Sequence, residues 1–124
     1  MNARGALLAI SGALALTVAC TGRDAPPRPA IDGDAERGRL TIARLQCGAC
    51  HAIPGVRAAR GAVGQSLEGF ARRPSLAGKW PNEPAHLVAW LLDPPAMAPH
   101  TAMPAVVGDE QSARDIAAYL YTLD

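Results

Sequence analysis

The residues Cys47-Gly48-Ala49-Cys50-His51 decide the fold of this chain. Two thiols stand three positions apart, and an imidazole follows the second thiol directly. This C-x-x-C-H spacing is the signal for covalent attachment of haem c, because the two thiols can add to the two haem vinyl groups. His51 is then placed to give the iron a nitrogen ligand. The motif therefore predicts one covalent haem, attached through Cys47 and Cys50 with His51 on the iron.

A zinc site and a redox-active dithiol are the two other interpretations of closely spaced cysteines. Zinc requires four ligands at set spacings, but no cysteine follows Cys50, and His86 and His100 lie fourteen positions apart. A redox-active C-x-x-C requires a thioredoxin-like βαβ context, and apolar runs of strand length with period 2 are missing from the sequence. The remainder of the sequence therefore favours haem.

Three helices are predicted around the motif, each behind a residue suited to cap it: Asp34 before residues 35–46, Asn82 before residues 83–92, and Asp109 before residues 110–123. Residues 52–81 are rich in Gly, Pro and Arg, which predicts mostly loop. Such long loops need something to wrap around in a compact domain, and the haem would provide it. The predicted class is all-α.

Composition and charge exclude several classes of protein. The 124 residues carry 12 Lys and Arg against 11 Asp and Glu, so the broad basic surface of a nucleic-acid-binding protein is missing. Within residues 33–124, nine basic residues balance nine acidic ones. Three cysteines are an odd number, which argues against a fold held together by disulfides alone.

Residues 1–19 are predicted to be an export signal. Arg4 precedes an uncharged run over residues 5–19, whose fifteen residues would span roughly 22 Å as a helix, less than the ~30 Å of a bilayer core. Residues 16–20, LTVAC, resemble a bacterial lipoprotein signal with Cys20 as the lipidated residue. Ordinary cleavage before Cys20 and an uncleaved anchor are the alternatives. Residues 20–32 hold three prolines and are predicted to be an extended tether. The domain is then exported to the periplasm and tethered to a membrane.

Over residues 33–124 the sequence resembles a single-haem class I c-type cytochrome of the proteobacterial periplasmic or membrane-tethered kind. The stretches that carry the resemblance are GDAERG, CGACH, VGQSLEGFARR, WLLDP, PHTAMP and ARDIAAYLYTL. The resemblance implies the cytochrome c fold, with three main helices and long loops wrapped around one covalent haem c.

The resemblance also implies roles for individual residues around the haem. Met103, in Thr-Ala-Met-Pro, is implied as the second axial ligand, and Met97 is the alternative thioether. The Thr101 hydroxyl and Arg73 correspond to residues that bind a haem propionate in relatives. Trp90 matches an aromatic position beside the Met ligand.

Two further positions bear on packing and on the support of the His ligand. Gln65 stands where relatives usually have the proline whose carbonyl accepts a hydrogen bond from the His ligand. Gly38 and Tyr119 match the crossing of the first and last helices, where a small residue lets an aromatic ring pack closely. Of the remaining histidines, His86 is predicted to lie on a helix surface or to pack against Trp90, and His100 to be an exposed loop residue.

With His51 and Met103 both on the iron, no coordination position is open, so the predicted chemistry is outer-sphere electron transfer without a catalytic residue or a small-molecule substrate. The first hypothesis is an electron carrier between a quinol-oxidising complex and a terminal oxidase. The second is a permanently bound haem c subunit of a larger membrane oxidoreductase. The third is an enzyme or gas sensor with open iron, which a Met103 bond disfavours. The expected partners are redox proteins: a quinol–cytochrome reductase, a terminal oxidase or a dehydrogenase.

Overall fold

The computed structural model describes residues 29–124, so the predicted signal, Cys20 and most of the predicted tether lie outside the described residues. The helices of the described part are α1 (Ala35–Arg44), α2 (Pro84–Leu92), α3 (Pro94–Met97) and α4 (Glu110–Leu120). Two strands, β1 (Ser75–Leu76) and β2 (Trp80–Pro81), pair in antiparallel fashion. The predicted all-α class is confirmed. The structure adds two elements to the three predicted helices: the β1–β2 hairpin, with two residues in each strand, and the one-turn helix α3.

The starts of α1 and α4 follow the prediction. The Asp34 side chain accepts a hydrogen bond from the amide of Arg37 at 2.8 Å, and Asp109 accepts one from the amide of Ser112 at 2.8 Å. Each carboxylate thereby satisfies an amide that has no partner within its own helix. Both helices end earlier than predicted, since α1 stops at Arg44 and α4 at Leu120.

The predicted cap of α2 is wrong. Glu83 occupies the position before α2, and the Asn82 side chain turns away from the helix. Its amide donates to the carbonyl oxygens of Phe70 and Arg73 at 3.0 and 3.1 Å. The side-chain oxygen, which a capping residue needs in order to accept from a helix amide, accepts instead from the Tyr121 hydroxyl at 3.2 Å.

Pro94 does not simply terminate α2, because it also begins α3. Asp93 precedes Pro94, and its side chain accepts from the amide of Ala96 at 3.1 Å. Proline is favoured in a first helical turn, where its missing N–H is no loss. These residues lie outside the three predicted helices, and the capped proline forms a helical turn here.

The backbones of α1 and α4 meet at Gly38, which is buried. A Cβ at this position would lie 1.9 Å from the carbonyl oxygen of Asp115 and 2.9 Å from the amide nitrogen of Ile116. Gly38 was expected at the crossing, and the atoms nearest to an added Cβ are backbone atoms of α4. The hydroxyl of Tyr119, which was expected at the same crossing, donates to the carbonyl of Pro54 at 2.6 Å. A small residue at 38 thus permits backbone contact between the two helices.

Asp115 joins the same two helices through its buried carboxylate, which is 4% exposed. It accepts from the amide of Asp34 at 2.8 Å, from Arg37 Nε and Nη2 at 2.8 and 3.0 Å, and from Gln111 Nε2 at 3.0 Å. The hydrogen bonds from Arg37 hold the pKa of Asp115 down, at about 2. The charged form is therefore the one that the folded state favours.

Asp115→Asn is expected to destabilise the domain by about 2 kcal/mol at pH 7. An amide has only one acceptor oxygen, and its NH₂ group faces the Arg37 guanidinium. Because the folded-state pKa lies below the ordinary value, the stabilisation by the carboxylate is complete above about pH 4 and lost as the pH falls through about 2. Urea unfolding at pH 7, 4 and 2 should show a gap between variant and wild type that closes on acidification.

Asp109→Asn is the matched control, since Asn caps a helix about as well as Asp. This control should lose much less stability than Asp115→Asn at pH 7, and its own small gap should also narrow on acidification, because hydrogen bonds from Ser112 lower the pKa of Asp109. A gap between Asp115→Asn and wild type that persists unchanged at pH 2 would contradict the assignment of the stabilisation to the charged carboxylate.

The packing of α1, α2 and α4 leaves an apolar wall on one side of the domain. Its members are buried side chains that come from these three helices: Ile42, Leu87, Leu91, Ile116 and Leu120. The segments 45–77 and 101–106 cross in front of this wall. None of the helices among residues 29–124 is both long enough and apolar enough to cross a bilayer.

Candidate cofactor site

A cavity of about 420 Å³ lies between the apolar wall and the two crossing segments. Its size falls in the range of cofactor and ligand sites. All four residues predicted to hold a cofactor line it: Cys47, Cys50, His51 and Met103. The structure thus brings together on one cavity two thiols, an imidazole and a thioether from segments about fifty positions apart in the sequence.

The thiols are placed by a tight turn after α1. Gln46 adopts a left-handed conformation with φ 59°, and Cys47–Ala49 form one turn of 3-10 helix. The amide of His51 donates to the carbonyl of Cys47 at 3.0 Å, which closes the turn. Both cysteines are free thiols; Cys47 is half-buried and Cys50 is exposed. Burial raises the pKa of the Cys47 thiol in the chain without bound haem.

The His51 ring is held by the backbone of the facing loop. Its Nδ1 lies 2.7 Å from the carbonyl oxygen of Gln65. A carbonyl can only accept, so Nδ1 carries the proton and the lone pair of Nε2 is free to bind a metal. A hydrogen bond of this kind fixes the ring orientation and raises the basicity of the ligating nitrogen.

Gly64 makes this approach possible. A Cβ at this position would lie 2.3 Å from Cε1 and 2.9 Å from Nε2 of His51, which is closer than real atoms approach. The amide of Gly64 donates to the carbonyl of Cys50 at 2.8 Å, and that of Leu67 to Ala52 at 2.8 Å. Gln65, which stands where relatives usually have proline, is therefore held from both sides, and its hydrogen bond with His51 forms. The sequence analysis overlooked Gly64, although its place beside the expected carbonyl acceptor was a signal.

Met103 lies half-buried across the cavity from the motif and packs against the buried core. Its amide donates to the Thr101 hydroxyl at 3.2 Å, so this turn is held by its own side chain. Trp90 and Arg73, two further residues predicted near the haem, also line the cavity. Met97 lies in α3, outside the group of described residues that form the cavity wall.

The two remaining histidines lie away from the cavity lining as the structure describes it. His86, half-buried on α2, stacks on Trp80 with ring centroids 5.8 Å apart, a partner that was not predicted. The β1–β2 hairpin, which the sequence analysis did not predict, brings Trp80 to this face of α2. His100 is exposed, as predicted. Among residues 29–124 no three His, Cys, Asp or Glu side chains gather as metal ligands, so a zinc site has no ligand set there.

These residues fit a haem. Two thiols at the edge of a largely apolar cavity suit covalent attachment of a flat, apolar macrocycle, and the free Nε2 and the thioether are ligands that iron accepts. The glycine at 64 leaves room beside the imidazole ring that any other side chain would fill. The donor set and the shape of the cavity therefore agree.

The sequence matches no family model, and no curated protein matches it. Among solved structures, the chain is similar to cytochrome cH from Methylobacterium extorquens, with 28% sequence identity and a TM-score of 0.54. The similarity covers 73% of this chain and 99% of that one. The region of similarity therefore spans almost the whole of that cytochrome.

Proposed function

We propose that this chain, which has the fold of a class I c-type cytochrome, carries single electrons between redox proteins on one covalently bound haem c. The observation that carries the proposal is the placement of Cys47, Cys50, His51 and Met103 on one cavity. The similarity to cytochrome cH supports an electron carrier rather than an enzyme.

Each of the four residues has a distinct role in this proposal. Cys47 and Cys50 would hold the haem through thioether bonds, and His51 Nε2 and Met103 would be its two iron ligands. The bound group supplies a one-electron iron couple. The Gln65 carbonyl keeps the imidazole in one orientation, and the Thr101 hydroxyl holds the turn that presents Met103. With both ligands supplied by the chain, water and small substrates would be kept from the iron, and the chemistry supplied would be outer-sphere electron transfer.

Electrons would enter and leave at the mouth of the cavity. Val63 is 79% exposed there, and Val106 is 43% exposed, although both side chains are apolar. Cys50 and Ala102 are exposed at the same mouth. An apolar rim of this kind suits brief contact with another redox protein.

We propose a quinol–cytochrome reductase or a dehydrogenase as donor and a terminal oxidase as acceptor. The experiment is purification of the native protein from membranes, in which a carrier comes alone and a permanent subunit comes with its complex.

Met103→Ala is expected to open the iron to external ligands. Carbon monoxide should bind the ferrous protein readily, and the weak thioether-to-iron absorption of the ferric protein should disappear. The midpoint potential should fall, because Met as the partner of His favours the ferrous state. Optical titration with carbon monoxide measures the first effect and redox titration the last.

Met97→Ala is the matched control, because it removes the same side chain from α3. It should bind no carbon monoxide and keep the thioether absorption. The reverse pattern in the two variants would assign the axial position to Met97.

We also propose that lipid on Cys20 tethers the domain to the periplasmic face of a membrane. The support is the LTVAC segment and the proline-rich residues 20–32, both predicted from the sequence. Mass spectrometry of the natural N-terminus should find a chain that begins at an acylated Cys20. An unmodified Cys20 at the start, or a chain that keeps Met1, would contradict the tether.

A further inference from the structure

We infer that Asn82 is a positioning residue for Arg73 and thereby helps to set the reduction potential of the bound haem. The inference rests on the proposed haem and extends it to a residue outside the cavity lining. It starts from the Asn82 side chain, whose three hydrogen bonds all point away from the α2 start that it precedes.

The Asn82 side chain uses both its donor and its acceptor. Its NH₂ group bridges the carbonyl oxygens of Phe70 and Arg73, and its oxygen accepts from the Tyr121 hydroxyl at 3.2 Å. Tyr121 is 2% exposed, and burial raises its pKa to about 12, so it stays a neutral donor at physiological pH. The Tyr121 bond fixes which way the Asn82 amide faces, and the amide then fixes the backbone on both sides of the turn Phe70–Arg72.

Arg73 is the residue that this arrangement holds at the cavity. Its guanidinium donates to the carbonyls of Ser66 and Glu68 and lies 5.7 Å from the centroid of the Phe70 ring. The same Phe70 ring packs on Tyr121, with centroids 6.0 Å apart. Both ends of Arg73 are therefore anchored. Its backbone is held through Asn82, and its guanidinium is held by the carbonyls of Ser66 and Glu68, on the loop that also carries Gln65. A fixed cation at the cavity wall disfavours the ferric state of a bound haem more than the ferrous state.

The test is a double-mutant cycle on the midpoint potential of the haem-loaded protein. Arg73→Gln should raise the ferric-to-ferrous ratio at a fixed ambient potential by about tenfold, which corresponds to a fall of about 59 mV for one electron. Asn82→Ala should raise the same ferric-to-ferrous ratio by about threefold. The double variant should match Arg73→Gln alone, because Asn82 acts only through Arg73. Additive shifts, or no shift in Asn82→Ala, would overturn the inference.

Two further variants separate positioning from general stability. Tyr121→Phe removes only the bond that orients Asn82 and should lower the potential slightly; no shift in it would overturn the inference if Asn82→Ala does not fold. Asp115→Asn weakens the α1–α4 crossing without touching this loop, so it should lower stability and leave the potential unchanged. An equal fall of potential in Asp115→Asn would show that any loss of stability moves the potential, and would overturn the assignment to Asn82.

A second readout is the solvent exchange of the Arg73 Nη2 protons, which donate to Ser66 and Glu68, measured by nuclear magnetic resonance. Asn82→Ala should accelerate this exchange by about tenfold, because the guanidinium loses its fixed place on the loop. Unchanged exchange would overturn the inference. If the wild-type chain held no covalent haem, the proposed function would fail instead, and the exchange measurement would still decide whether Asn82 positions Arg73.

Discussion

Replacing Cys47 and Cys50 together with alanine is expected to give a chain from which acid–acetone extraction removes all haem, whereas the wild-type chain keeps its haem. The thioether bonds are the only covalent links proposed, and acid breaks the bonds between iron and its axial ligands. Absorbance of the extracted protein and its intact mass measure the effect. Either single variant should keep one link and resist extraction.

Cys20→Ala is the matched control for this experiment, because it removes the remaining cysteine of the chain. The control should keep its haem through extraction. Haem that persists in the Cys47→Ala/Cys50→Ala double variant would contradict the attachment proposal.

Gly38→Ala is expected to cost at least about 3 kcal/mol of unfolding free energy, which is a large part of the stability of a small domain. The added Cβ would lie 1.9 Å from the backbone oxygen of Asp115, and the backbone of one packed helix moves only with the whole helix. The loss should appear despite the preference of about 1 kcal/mol that alanine has over glycine within a helix. Chemical unfolding of the haem-loaded protein measures it.

Gly108→Ala is the control, because a Cβ at that position meets nothing within 4 Å. It should leave the unfolding free energy nearly unchanged. Equal stabilities of the two alanine variants would show that α1 and α4 can separate at Gly38 without loss.

The features predicted correctly are those that depend on near neighbours in the chain. Asp34 and Asp109 cap helices through amides three positions away, so a short stretch of sequence contains both partners. The C-x-x-C-H motif is local in the same sense, because its spacing itself determines which groups face the cavity. The similarity of the remaining stretches to a known family supplied what lies between these local elements, including the order of the helices.

The features predicted wrongly depend on partners far away in the chain. Asn82 looks like a helix cap until the carbonyls of Phe70 and Arg73 are brought beside it. The stacking of Trp80 on His86 was missed, because the hairpin that delivers Trp80 has only two residues in each strand. Strands this short leave no periodic pattern. The close contact of Gly64 with His51 is likewise invisible until the loop is folded over the ring.

The pairing of α1 with α4 has a consequence for the order in which the domain can form. Arg37 and Asp115 are 78 positions apart, so α1 lacks its main partner until the chain up to α4 has been synthesised. When a chain crosses a membrane with its N-terminal end first, Cys47 and Cys50 therefore reach the far side before α4, the helix that packs on α1, has crossed. Closing so long a loop also carries an entropic cost that local turns do not. In the proposed export, the two thiols would thus be accessible for haem attachment before the domain closes around its cavity.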